Sequence, residues 1–135
     1  MKAGTETGSL VNHLYSRAVV GAPQPEVGMG ATLLRWTDRE AATVTDVCHL
    51  ATSKTHDLRI TVREDDYQVT GGSTHDGSAK FAFTPRPEGY AYHFRRLRKT
   101  GQWQEVIRNQ DTGRWLKADM GLLVGYREKY VDPSF

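Results

Sequence analysis

Leu58, Ile60 and Val62 alternate with Arg59, Thr61 and Arg63, and no other stretch restricts the fold of this chain as much. A period of two sends successive side chains to opposite faces, so the segment reads as a strand with one face in a core and one in solvent. Such half-buried strands belong to antiparallel sheets, because parallel strands are covered on both faces.

Other segments join it. Residues 41–50 are rich in Val and Thr and read as a strand whose even positions, Ala42, Val44, Asp46, Cys48 and Leu50, form an apolar face broken by Asp46. Before it come Val27-Gly28-Met29-Gly30-Ala31-Thr32, an apolar run to Trp36, and the polar turn Thr37-Asp38-Arg39. Residues 80–84 and 90–99 read as strands joined by Pro85-Arg86-Pro87-Glu88-Gly89, and Thr100-Gly101 turns the chain into a strand over 102–107. Residues 70–78 are a polar loop, 108–119 a polar excursion, and Leu122-Leu123-Val124 a last apolar run before the tail. At the other end Ser9 is an N-cap for Val11, Leu14, Tyr15 and Ala18 at helical spacing, which predicts a helix over 9–19 that Gly21, Pro23 and Pro25 end. The expectation is an α+β, predominantly β domain: a short N-terminal helix, then an antiparallel sheet of about six strands, with residues 1–8 disordered.

A chain of 135 residues fits a single domain over 1–135. It buries enough surface to need no staple, and the lone Cys48 can form no internal bridge, which suits a reducing compartment. Residues 1–9 lack the apolar run of an export signal, and no segment approaches a membrane span, so the expected location is the cytoplasm. A net charge of +2, from 18 basic and 16 acidic residues, argues against coating nucleic acid through bulk charge.

Gly28 and Gly30 could let backbone N–H groups approach an anion, or they could simply start a strand. Arg39 could meet a phosphate or a neighbouring carboxylate; the residues leave both pairs of readings open. Along 90–99 one face reads Tyr90, Tyr92, Phe94, Arg96, Arg98 and the other Ala91, His93, Arg95, Leu97, Lys99. Aromatics and arginines on one pleated face can stack a base and hold its phosphates, or the same face can be a core that emerges into solvent. Arg63 could add to such a site. Thr55-His56-Asp57 and Thr74-His75-Asp76 form a repeated tripeptide in predicted loops, but its order does not match phosphodiester-cleaving His-x-Thr motifs and offers only a weak metal set. Cys48, on a predicted apolar face with no flanking signature, reads as buried and inert. No catalytic residues and no cofactor are assigned. The aromatic-rich tail reads as a docked segment reaching towards another subunit, with Arg127 placed to enter a pocket.

Four blocks resemble a group of small bacteriophage proteins: Val27-Gly28-Met29-Gly30-Ala31-Thr32, Trp36-Thr37-Asp38-Arg39, Arg98-Lys99-Thr100-Gly101-Gln102-Trp103, and Gly125-Tyr126-Arg127 with Tyr130 and Asp132-Pro133-Ser134-Phe135. Together they are similar to the first Thoeris anti-defence family, phage sponges for cyclic ADP-ribose isomers. The resemblance implies a cytoplasmic, non-enzymatic homo-oligomer, dimers assembled into hexamers, that sequesters the signal made by TIR-domain enzymes. Some members also trap cyclic oligonucleotides. It would put Met29, Gly30, Ala31 and Thr32 beside the ligand, Arg127 on phosphate and an aromatic near Tyr90 on adenine. Thr100 stands where relatives prefer Asn, which changes an amide for a hydroxyl and bears on ligand choice. The 108–119 insertion and the Gly/His-rich 71–78 loop are further departures. A different class of reading remains: a phage accessory module binding nucleic acid or a host protein through Arg95, Arg96, Arg98 and Lys99. An unrecognised hydrolase using His56 and His75 is a third.

Overall fold

The computed structural model describes residues 24–35, 37–73 and 78–130. The helix predicted over 9–19, residues 1–8, Trp36, His75, Asp76 and the last five residues lie outside them. The described residues contain no helix and nine strands: β1 Gly30–Leu34, β2 Arg39–His49, β3 His56–Glu64, β4 Asp66–Gly71, β5 Lys80–Thr84, β6 Ala91–Leu97, β7 Trp103–Arg108, β8 Trp115–Lys117 and β9 Gly121–Val124. Seven form one antiparallel sheet in the order β8-β7-β6-β3-β2-β1-β9, and β4 and β5 pair as a separate hairpin.

The alternation in β3 holds. Leu58, Ile60 and Val62 are sealed in the core, while Arg59, Thr61 and Arg63 stay half-exposed. Around them pack Ala31 and Leu33 of β1, Ala42 and Val44 of β2, Phe94 of β6, and Leu122 and Val124 of β9. Fully burying such side chains stabilises by about 1.5–3 kcal/mol each before chain entropy is subtracted.

Asp46 does not break a core face, because the strand changes phase before reaching it. The β2–β3 register shifts between Val44 and Asp46, a β-bulge at Thr45. An extra residue in a strand exchanges its faces, so Val47 turns to the core and Asp46 is exposed. Cys48 is half-buried rather than on the core face. The excursion predicted over 108–119 contains a strand, β8, and β4 begins before and runs into the predicted 70–78 loop.

β8 and β9 occupy opposite edges of the sheet yet are joined by only Ala118, Asp119 and Met120. Six inter-strand steps in a flat sheet would separate those edges by about 29 Å, whereas the four peptide steps from Lys117 to Gly121 span at most about 15 Å. The sheet therefore has to curl until its edges meet. Two hydrogen bonds pin the crossing to β7: Ala118 N–H donates to the Glu105 carbonyl at 2.8 Å, and Met120 N–H to Glu105 Oε1 at 3.0 Å.

After β9 the chain lies back on its own β1 and β2. Gly125 N–H donates to the Gly30 carbonyl, the Thr32 hydroxyl to the Tyr126 carbonyl, and Arg39 and Tyr130 exchange two backbone bonds at 2.9 Å. Glu128 pairs with Arg39. Lys129 Nζ sits 2.7 Å from Glu40 Oε2 and 4.1 Å from the Tyr67 ring centre, tying in the β4–β5 hairpin. The docked tail is thus present through Tyr130, but its dock is its own chain.

Candidate functional site

The face of the sheet away from the core carries the site. Gly30, Thr43, Arg63 and Ala91 stand in one cross-strand row over β1, β2, β3 and β6. Arg127 from the returning tail lies across the Gly30 end: a Cβ at residue 30 would fall 2.9 Å from Arg127 Nη1 and 3.0 Å from its Cγ. Its Nε donates to Asp65 Oδ2 at 2.7 Å and its Nη2 to Thr43 Oγ1 at 2.8 Å. Thr43 Oγ1 in turn donates to Asp65 Oδ1 at 2.6 Å, and the Asp65 side chain is fully buried. A buried carboxylate held by a guanidinium and a hydroxyl fixes the arginine's plane, which suits an anchor with one free flank rather than a swinging arm.

Further along the row, Arg63 donates from Nη1 to the Gly89 carbonyl at 2.8 Å. Tyr90 is 69% exposed, its ring 4.8 Å from that of Tyr92. Tyr90 lines a shallow groove of about 150 Å3 with Tyr92, His93, Val106, Ile107 and Arg108. That is well below the roughly 300–1,000 Å3 of small-molecule sites, so this groove offers one wall rather than an enclosure.

Of the residues singled out in the sequence, Gly30, Arg63 and Arg127 are gathered along this row; Tyr90 precedes Ala91 at its end, with its ring on Tyr92 at the opposite face of the strand. Met29 packs against the core, Ala31 is inside it, and Thr32 is fully buried with its hydroxyl on Tyr126. Thr100 lies in the β6–β7 turn, its Oγ1 accepting from Gln102 N–H at 3.3 Å. A seven-residue strand, about 23 Å long, separates it from Tyr90. The Gly28 and Met29 N–H groups are already bonded to Val44 and Glu26 carbonyls, so they offer no anion cradle, and Gly28 serves a turn at φ 94°.

The aromatic face of β6 resolves in favour of the core. Phe94 is fully buried and Tyr92 packs beside it. Burial raises the Tyr92 hydroxyl above its ordinary range; that hydroxyl accepts from Arg35 at 2.8 Å and donates to Glu64 at 3.2 Å. Neither Arg35 nor Glu64 stood out in the sequence. The four-cation patch is broken up: Arg96 grips Asp57 with two bonds at 3.0 and 2.7 Å, and Arg98 donates to the Ser53 and Leu50 carbonyls. His56 is the first residue of β3 rather than a loop residue, with Nε2 3.1 Å from Gln104 Oε1. Among the described residues no group of His, Cys, Asp and Glu could hold a metal, and no helix is long and apolar enough to cross a membrane.

A second cluster had no signal in the sequence beyond its residue types. Trp115 of β8 is met by Arg59, Arg108 and Arg95, whose guanidinium carbons lie 4.9, 5.8 and 5.9 Å from its ring centre. The His93 ring approaches the same indole edge-on at 5.2 Å, with Nδ1 3.0 Å from Thr61 Oγ1. Burial, then Arg59 and Arg63, hold the His93 imidazole below its usual range, so it is neutral at pH 7.

No protein-family model, curated protein or solved structure matches the chain.

Proposed function

We propose that the protein is a non-enzymatic binder that captures a cyclic ADP-ribose-type nucleotide and holds it uncleaved, serving a bacteriophage by withholding the signal of TIR-dependent immunity in the host cytoplasm. The observation that carries this reading is the convergence of Gly30, Arg63 and Arg127, from three separate stretches of sequence, along one cross-strand row. A guanidinium anchored on its inner edge and a second arginine suit the phosphates of such a nucleotide, and the exposed Tyr90 ring, at the edge of the sheet, could meet its adenine in an assembly. Sequestration needs tight binding and slow release, not transition-state stabilisation.

The open groove supports a site shared between copies. In a homo-oligomer of dimers, reaching a hexamer, a neighbouring chain would supply the second wall, and Thr100 would come from that neighbour. The same oligomer could hold cyclic oligonucleotides at other places.

The test is to incubate the purified protein with a cyclic ADP-ribose isomer, remove free ligand, denature and identify what is released. Intact ligand is expected. A cleaved product would make the protein an enzyme, and no retention at micromolar ligand would end the nucleotide reading. The competing reading, an accessory module for nucleic acid or a host protein, loses support from the internal pairing of Arg96 and Arg98.

A further inference from the structure

Among the described residues folding matches Arg35 to Glu64, Arg39 to Glu128, Arg96 to Asp57 and Arg127 to Asp65, holds Arg63 and Arg98 on backbone carbonyls, and leaves Arg114 exposed. Arg59, Arg95 and Arg108 break that pattern. Among the described residues none of the three guanidiniums forms an ion pair or donates a hydrogen bond. Arg59 and Arg95 are direct cross-strand partners, where like charges destabilise a sheet. Burial and then the Arg59 charge lower the pKa of Arg95. Asp46, cross-strand from Thr61, is the one carboxylate that opposes the arginine charge felt by His93.

Trp115 explains how the arrangement stands without a protein counter-ion. Its indole gives three guanidiniums an aromatic surface to lie against, worth about 0.5–1 kcal/mol each at exposed sites. With guanidiniums already disposed around it, the ring is an organiser of donors rather than a platform for a base. Each fork retains N–H donors that no protein group accepts, and a planar fork matches phosphate oxygens two at a time. Three forks around one ring suit a compact polyanion better than an extended backbone.

We propose that Arg59, Arg95 and Arg108, arranged around Trp115, bind the adjacent phosphates of a free nucleoside diphosphate or triphosphate. This site is built on β3, β6, β7 and β8 and does not rest on the reading of Arg127.

Inorganic pyrophosphate is the probe, titrated calorimetrically into the full chain at constant ionic strength, with ADP and a ten-nucleotide RNA in parallel. Pyrophosphate and ADP should bind, and Arg59→Gln should weaken both by about tenfold. Followed by NMR, the His93 pKa should rise when pyrophosphate is added to the wild-type chain. In Arg59→Gln it should start higher, because a repelling charge is gone. That variant should melt no lower than the wild type, so lost binding would not reflect lost folding. Pyrophosphate binding equal to that of chloride, equal affinity in Arg59→Gln, or RNA binding that tightens with length beyond ADP would each overturn the proposal.

Discussion

Arg127 lies flat against Gly30, its Nη1 2.9 Å and its Cγ 3.0 Å from where a Cβ would stand. Glycine gives the space there, because the Arg127 side chain reaches buried Asp65 across the β1 backbone at that point. The relationship joins two blocks 97 positions apart (127 less 30) and makes the returning tail part of the outer face.

Gly30→Ala should therefore act through Arg127. The new methyl meets the Cγ as well as the movable Nη1, so the guanidinium must slide and its bonds to Asp65 and Thr43 lengthen. We expect a loss of about 1–3 kcal/mol in urea unfolding, in the range of overpacking changes, together with weaker nucleotide retention. Unchanged stability and retention would show the contact to be incidental.

Removing Arg127 has a different signature. Arg127→Ala leaves the Asp65 carboxylate buried with only Thr43, and stability should fall by about 2–4 kcal/mol, less than for a wholly buried pair because Arg127 is 28% exposed. Asp65→Asn in the Arg127→Ala background should recover part of that loss. A double-mutant cycle with no coupling would contradict the pairing. Ligand assays on Arg127 variants need this stability measured alongside.

Closure of the sheet can be tested at Glu105, which is buried and accepts the Met120 N–H. Glu105→Ala should cost about 1–3 kcal/mol by orphaning that donor. Glu105→Gln keeps an acceptor oxygen and should recover most of it. Hydrogen exchange at Met120 and Ala118 should quicken in Glu105→Ala before exchange in β3 does.

Two of the described groups contribute to the acid limb of stability. His93 is held below its ordinary value by burial, then Arg59 and Arg63. The unfolded chain thus binds a proton near pH 6.5 that the folded chain refuses until lower pH, and stability falls over that window. Asp57 is held below the usual carboxylate range by its hydrogen bonds from Arg96, with burial opposing. Its contribution is complete above the unfolded value and lost as pH falls through the folded one. At this half-buried, solvent-screened position it is about 0.2–1 kcal/mol. His93→Gln should flatten the unfolding midpoint between pH 7 and 5, and Asp57→Asn only below about pH 4.

Local periodicity made most strands legible. β3 announces itself because burial of every second side chain is recorded in every second residue, and β2, β5, β6 and β7 read as strands too; β9 shows only as an apolar run, and β4 does not read as a strand. The bulge at Thr45 was visible only as an anomaly, the aspartate on an apolar face. β8 was invisible: three residues in a polar stretch carry no period, and Trp115 becomes a strand residue only because β7 offers it an edge.

What the sequence by itself determined is the antiparallel, half-buried character of the sheet and the residue types available for binding. Tertiary structure alone decided which of them meet. Strand order and the three-residue link from β8 to β9 curl the sheet, lay the tail over Gly30 and put Arg59, Arg95 and Arg108 around Trp115. Cross-strand neighbours are set by register between distant segments, and a one-dimensional pattern records which face a side chain takes but not which side chain stands beside it.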